Sequence, residues 1–168
     1  MRKLNILKTI VDFFWIMSLP VVPIILFFVP AIFFIEDLNL IPFKINGTEL
    51  FVSDTPSKII LSISLLSYLL LVYIVYLFKK ILRYFKNLKI FNNYVIVQLN
   101  KIGYLLIISS FLNSMPVFIY RLMVKQKFSF EIGLSPFFLL ISSGLFFMIL
   151  SEVFKVSQNM KNENELTI

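Results

Sequence analysis

The run IILSISLLSYLLLVYIVYLF, residues 59–78, decides the fold class because it contains no charged residue. Fourteen of its twenty residues are Ile, Leu, Val or Phe. An α-helix of about twenty residues, rising about 1.5 Å per residue, crosses a hydrocarbon core of ~30 Å. In lipid the backbone N–H and C=O groups must be satisfied within the segment, and the run lacks the alternation of a barrel strand. We therefore predict a membrane-spanning helix here.

Three further uncharged runs occupy residues 13–35, 102–120 and 132–151. Of the 168 residues, 59% are hydrophobic and 15% are charged, whereas soluble domains average roughly 45–50% and about 25%. The first run is longer than the roughly 7–15 residues of a signal-peptide core, and the only alanine, Ala31, cannot supply a small-residue cleavage site. The sequence predicts an all-α integral membrane protein, with residues 1–168 forming a single domain of four transmembrane helices.

The distribution of Lys and Arg predicts the orientation of these spans. Eleven of the sixteen basic residues lie on the side of the two termini, and five lie on the opposite side. The positive-inside rule then places both termini in the cytoplasm. Trp15 and Tyr76 fall near the inner interface, where aromatic side chains are enriched. We expect a multi-pass protein of the bacterial inner (cytoplasmic) membrane.

The connection between the first two spans predicts a β-hairpin over residues 41–52. Asn46 and Gly47 form a two-residue turn between the apolar segments IPFKI and TELFV. That turn sets a register in which Lys44 faces Glu49 and Phe43 faces Leu50. The alternating residues 128–132 are a candidate third strand, which would complete a small extracytoplasmic sheet.

Helix signals continue beyond the apolar runs. Ile81, Leu82 and Phe85 repeat at helical spacing after residue 78, so residues 79–101 are predicted to form cytoplasmic helix extensions. Asn92 or Asn93 would cap the third transmembrane helix. Residues 152–163 would continue the fourth as a polar helix. The pairs 55–56 and 135–136, Thr-Pro and Ser-Pro, are typical helix starts.

Three groups of residues are candidate sites. Asn113 is the strongly polar residue deep in a span, where it would make a helix-packing hydrogen bond or contact a ligand. The basic cluster comprises Lys79, Lys80, Arg83, Lys86 and Lys89. It would bind anionic lipid headgroups, with about 1 kcal/mol of binding free energy per charge, or an acidic partner protein. The alternative is that the cluster only sets the membrane topology. A partner-docking tail would comprise Glu163, Asn164, Glu165, Leu166, Thr167 and Ile168.

Composition also restricts the chemistry. The chain has no His and no Cys, which excludes imidazole acid–base catalysis, thiol nucleophiles and Cys/His zinc sites. The middle of each span lacks the ionisable residues that proton relays require. Asp12, Arg121 and Glu152 lie at span ends and form no convincing catalytic pair. We therefore expect that the protein is not an enzyme, holds no cofactor or metal, and does not bind nucleic acid directly.

The fourth span and the tail, from Ser143-Gly144-Leu145 to the terminal Glu163-Asn164-Glu165-Leu166-Thr167-Ile168, resemble the bacterial family Domain of Unknown Function 2975. Members are small four-helix inner-membrane proteins that typically end in this signature. Their genes often neighbour one for a small helix-turn-helix regulator. The resemblance implies the membrane component of a regulatory pair.

These observations predict a non-enzymatic regulatory or sensory membrane protein whose partners are the lipid bilayer, anionic lipids and a cytoplasmic regulator protein. The alternative is a small transporter, channel or toxin-immunity protein, acting as a homo-oligomer and using the proline-rich first helix and Asn113.

Overall fold

The structure is a computed structural model that describes residues 2–35, 43–45, 48–50, 55–123 and 135–166. Within these ranges the chain forms five helices and two short strands. The helices are α1 (Arg2–Ser18), α2 (Val21–Phe34), α3 (Thr55–Lys86), α4 (Asn93–Met123) and α5 (Pro136–Leu166). The strands are β1 (Phe43–Ile45) and β2 (Thr48–Leu50).

Four helical segments of the described chain are long and apolar enough to cross a membrane. They are Arg2–Phe34, which comprises α1 and α2, and then Thr55–Lys86, Asn93–Leu122 and Pro136–Asn164. The prediction of a helical fold with four segments of membrane-spanning length is therefore confirmed. The 32 residues of α3 extend about 48 Å, which exceeds the ~30 Å hydrocarbon core.

The first segment differs from the single span predicted over residues 13–35. Helix α1 begins at Arg2 and ends at Ser18, and α2 begins at Val21. Pro20 stands at the junction, where its missing N–H cannot continue the helical hydrogen bonds. Pro23 lies in the first turn of α2, where N–H groups have no partner within the helix, and Pro30 is accommodated inside α2. The break is local to Leu19 and Pro20.

The predicted helix extensions are present. Helix α3 continues to Lys86, and α5 continues to Leu166. The side-chain Oδ1 of Asn92 accepts a hydrogen bond of 2.8 Å from the backbone N–H of Tyr94, so Asn92 is the residue that caps α4. Pro136 opens α5 as predicted, and the carbonyl of Ser135 accepts a hydrogen bond from the N–H of Leu139.

The two strands pair antiparallel. Phe43 lies opposite Leu50, Lys44 opposite Glu49 and Ile45 opposite Thr48, which is the register expected for a two-residue turn at residues 46–47. Ile45 packs against a buried cluster at the ends of α3 and α4, so the ribbon covers this end of the bundle. Residues 41–42, 46–47 and 51–52 of the predicted hairpin, and the candidate third strand at 128–132, lie outside the described residues.

The main core lies between α3, α4 and α5. Its buried members come from α3 and α4, and partly buried residues of α5 pack against them; the set includes Ile74, Leu77, Ile81, Val95, Leu99, Ile102, Leu106, Leu140, Phe147 and Phe154. Helices α1 and α2 pack on α3. Helices α4 and α5 cross at Gly103 and Gly144. Their backbones are so close there that a Cβ on Gly103 would lie 2.6 Å from the carbonyl oxygen of Gly144.

Candidate functional site at the basic end

One end of the molecule concentrates positive charge. Residues 79–101 hold six of the sixteen Lys and Arg residues and no acidic residue. In the structure this segment comprises the last two turns of α3, a turn, and the beginning of α4, and the polar part of α5 lies beside it. We call residues 79–101 and 152–164 the basic end.

A row of three aromatic rings lies where α1 and α3 reach the basic end. Trp15 of α1 contacts Tyr76 of α3, with ring centroids 5.1 Å apart. Tyr76 in turn stacks on Tyr73, with centroids 6.3 Å apart and an angle of 28° between the ring planes. Tyr73 and Tyr76 share a helix face because they are three residues apart. We call Trp15, Tyr76 and Tyr73 the aromatic row.

Each ring of the aromatic row carries one lysine ammonium group. The distances from Nζ to the ring centroid are 5.9 Å for Lys79 over Trp15, 4.5 Å for Lys80 over Tyr76 and 5.2 Å for Lys101 over Tyr73. Such contacts are typical cation–π interactions. Lys101 also donates a hydrogen bond of 3.0 Å to the Tyr73 hydroxyl. The rings therefore hold three cations in defined positions.

The three ammonium groups differ in their negative partners. Lys79 Nζ lies 3.2 Å from the Asp12 carboxylate, and Lys8 Nζ lies 3.9 Å from the same carboxylate. In the part of the chain that the structure describes, neither Lys80 nor Lys101 pairs with a carboxylate. The aromatic row therefore holds two positive charges that no acidic side chain of the described residues compensates.

The predicted basic cluster divides into two groups. Lys79 and Lys80 lie over rings of the aromatic row, whereas the side chains of Arg83, Lys86 and Lys89 are exposed. Between these exposed cations stands Leu88, which is 70% exposed. The second group is thus a solvent-facing surface with an apolar residue at its tip, and we call Arg83, Lys86, Leu88 and Lys89 the basic tip.

The turn that carries the basic tip is fixed to α5. Gln158 Nε2 donates a hydrogen bond of 2.8 Å to the carbonyl of Phe91. Phe154 contacts Phe85 and Phe91, with ring centroids 6.0 and 5.7 Å apart. Phe85 and Phe154 also pack against the buried cluster that contains Val95 and Leu99 of α4. Together these contacts join the extensions of α3, α4 and α5 into one packed unit.

Asn113 lies away from the basic end, in a polar contact between α3 and α4. Its Nδ2 donates hydrogen bonds to Ser67 Oγ at 2.7 Å and to the carbonyl of Ser109 at 3.2 Å. The hydroxyl groups of Ser67 and Ser109 are 2.9 Å apart. Of the two roles considered for Asn113, these contacts correspond to helix packing.

The candidate docking tail is described only in part. Glu163 and Asn164 are exposed in the last turns of α5. The helical backbone continues through Glu165 to Leu166, while their side chains, and Thr167 and Ile168 entirely, lie outside the described residues. Docking through the tail stays a prediction.

Sequence reasoning missed the Asp12–Lys79 ion pair and the Lys101–Tyr73 hydrogen bond. A signal was present, because Asp12 directly precedes the first uncharged run and Lys79 directly follows the second. Neighbouring antiparallel helices bring such positions to the same depth. The same argument applies to Lys101, which precedes the third run.

Two cavities flank the described bundle. An apolar groove of about 320 Å³ lies between α1 and α5 and is lined by residues such as Phe14, Phe78 and Phe147. A polar crevice of about 380 Å³ lies between α4 and α5 near Asn100 and Glu152. Neither cavity includes a residue of the aromatic row.

Comparison with protein families finds a match described as "Protein of unknown function (DUF2975)", which covers residues 12–168. The matched range includes the C-terminal residues that carry the resemblance noted above. No curated protein matches the chain, and no solved structure matches it.

Proposed function

The chain belongs to the DUF2975 family, and we propose from this premise that it is a non-enzymatic regulatory or sensory protein of the bacterial inner membrane, multi-pass with both termini in the cytoplasm. Its basic end would receive a cytoplasmic regulator protein. The observation that carries the proposal is the packed unit formed by the extensions of α3, α4 and α5.

Several contacts make this unit suited to a partner. The hydrogen bond from Gln158 to the carbonyl of Phe91 and the rings around Phe154 hold the turn in one position. A surface that is already ordered loses less conformational entropy when a partner binds. The turn therefore serves better as a docking platform than a flexible loop would.

The charge of the basic tip indicates the chemistry of the partner. Arg83, Lys86 and Lys89 are exposed, and so is the apolar residue Leu88, which stands in the same stretch of sequence. A complementary partner surface would carry acidic residues around an apolar pocket, since opposite potentials steer association and an apolar anchor contributes affinity. The tail of α5, with its terminal signature, is the second candidate contact.

A binding measurement tests this proposal. The full chain is placed in nanodiscs, and the prey is the helix-turn-helix regulator encoded beside it, which the family resemblance leads us to expect. We expect Lys86→Gln/Lys89→Gln to weaken binding at least several-fold, and truncation after Lys161 to weaken it as well. The matched control is Arg2→Gln/Lys3→Gln, which removes two exposed charges from α1.

The control variant should bind the regulator as the unmodified chain does. Equal affinity of all the variants for the regulator would refute docking at the basic tip and the tail. A binding loss of the same size in the Arg2→Gln/Lys3→Gln variant would show that total charge, rather than this surface, controls association.

The alternative function is a small oligomeric transporter, channel or toxin-immunity protein. The observation in its favour is the break at Leu19 and Pro20, because interrupted helices line binding sites in some transporters. Asn113→Leu separates the two functions. Regulator binding would be unchanged under the main proposal, whereas a pore or transport pathway that uses Asn113 would lose activity.

A further inference from the structure

We infer that the aromatic row, together with Lys80 and Lys101, binds the phosphodiester group of an anionic phospholipid. This site is separate from the basic tip and does not depend on the existence of a regulator. It rests on the charge, the depth and the fixed geometry of the residues involved.

Two of the three lysines have no acidic partner among the described residues. Asp12 neutralises Lys79, whereas Lys80 and Lys101 lie over neighbouring stacked rings without a carboxylate partner in the described chain. A phosphodiester is a monoanion with two unesterified oxygens, and each oxygen can accept a hydrogen bond from an ammonium group. One such anion could therefore bridge the two ammonium groups and would compensate one of their two positive charges.

The contacts of Lys80 and Lys101 lower the entropic cost of binding a ligand. A free lysine loses side-chain entropy when it is fixed on a ligand. Lys101 is already held by the Tyr73 hydroxyl at 3.0 Å, and Lys80 lies 4.5 Å from the centroid of the Tyr76 ring. Both ammonium groups thus have a ring contact that positions them before a ligand arrives.

The position of the site along α3 indicates a membrane lipid as the source of the anion. Tyr73 and Tyr76 belong to the last turns of the uncharged run 59–78, and Lys80 follows that run by two residues. Trp and Tyr side chains are enriched at the level of lipid headgroups, and lysines at this level attract anionic lipids. The site thus lies where the phosphate of a lipid is available.

The single Trp of the chain belongs to the aromatic row and supplies the experiment. The full chain is reconstituted with brominated phosphatidylglycerol or brominated phosphatidylcholine, and quenching of Trp15 fluorescence gives the relative association of each lipid. We expect the unmodified chain to prefer phosphatidylglycerol over phosphatidylcholine. In the variant Lys80→Gln/Lys101→Gln this preference should fall about fivefold for each lysine removed. The matched control, Lys86→Gln/Lys89→Gln, removes the same charge from the basic tip and should keep the preference.

Conservative variants keep the test decisive if the double variant folds poorly. Lys80→Arg/Lys101→Arg retains both charges and should retain most of the preference. Tyr73→Phe retains the ring but removes the hydroxyl that holds Lys101, so the preference should fall. A preference lowered equally by the control variant, or absent from the unmodified chain, would overturn the inference. Complete loss of the preference in excess inorganic phosphate would also overturn it, because the site would then take a free anion.

The two proposals can fail independently. Lys86→Gln/Lys89→Gln should lower regulator binding and preserve the lipid preference, whereas Lys80→Gln/Lys101→Gln should lower the lipid preference in nanodiscs that contain no regulator.

Discussion

The carboxylate of Asp12 lies 3.2 Å from the ammonium group of Lys79, and this ion pair joins α1 to α3 where both helices reach the basic end. The side chains of Asp12 and Lys79 are 30% and 25% exposed, so the pair is partly shielded from water. It also separates the role of Lys79 from that of Lys80, because only Lys79 has its charge compensated by an acidic side chain.

The ion pair should contribute measurably to stability. We expect Asp12→Asn to lower the free energy of unfolding by about 1 kcal/mol, above the median for exposed pairs, because Lys79 remains in place without its partner. Thermal unfolding of the purified protein in a mild detergent measures the change. In a Lys79→Gln background the same substitution should cost less, and an undiminished cost would show that Asp12 acts through another group. Added salt should weaken the coupling.

The crossing of α4 and α5 should not tolerate a side chain. A Cβ on Gly144 would lie 2.8 Å from the carbonyl oxygen of Gly103 and 2.9 Å from Ile107 Cγ1. Because a backbone carbonyl cannot rotate away, we expect Gly144→Ala to lower stability by about 1–3 kcal/mol. The measurement is again thermal unfolding in detergent. Ser143→Ala, at the exposed neighbouring position, is the control and should change stability little. Similar values for the two variants would contradict a close helix crossing.

The four helical segments of membrane-spanning length could be predicted because they depend on local sequence. An uncharged run such as residues 59–78 must form its hydrogen bonds within itself in lipid, and a side-chain acceptor such as Asn92 marks a helix start wherever it stands. The same applies to Ile81 and Phe85, whose spacing indicates that α3 continues beyond the apolar run. None of these predictions requires knowledge of which helices are neighbours.

The aromatic row could not be predicted because it depends on helix neighbours. Trp15 meets Tyr76 only because α1 packs on α3. In lipid a helix face that packs on another helix can be as apolar as a face that contacts acyl chains, so the hydrophobic pattern does not identify neighbours. The position of the break at Leu19 and Pro20 could not be predicted either, because three prolines stand in the run and their sequence does not tell which one ends the helix.

Asn113 should stabilise the contact between α3 and α4. Its Nδ2 lies 2.7 Å from Ser67 Oγ, and interhelical hydrogen bonds in membranes are worth about 0.6–2 kcal/mol. We expect Asn113→Ala to lower stability within this range and a double-mutant cycle with Ser67→Ala to give a coupling of about 0.6 kcal/mol. Unfolding in detergent checks both values. Ser142→Ala, which removes an exposed hydroxyl on α5, is a control that should have little effect. Additive effects of Asn113→Ala and Ser67→Ala would show that the bond is not energetically significant.

The backbone conformation of Leu88 should lower the stability of the folded protein. Its φ of 57° is in the left-handed region, and the hydrogen bonds from Leu88 N to Phe85 O and from Lys89 N to Tyr84 O form the helix end that usually places glycine at this position. A left-handed conformation costs a non-glycine residue roughly 1–2 kcal/mol, and a side chain that is 70% exposed contributes little packing in return.

We therefore expect Leu88→Gly to raise the free energy of unfolding by about 1 kcal/mol, since relief of the strain exceeds the added flexibility of the unfolded chain. Asn87→Gly, at the preceding exposed residue, should instead lower stability, because Asn87 does not have a positive φ. Thermal unfolding of both variants measures the two opposite changes in stability, and a loss of stability in both would contradict the assignment of strain to Leu88.

If the basic tip binds the regulator through Leu88, Leu88→Gly should weaken that binding while it stabilises the fold. Opposite changes in binding and stability would show that the strained leucine is retained for function.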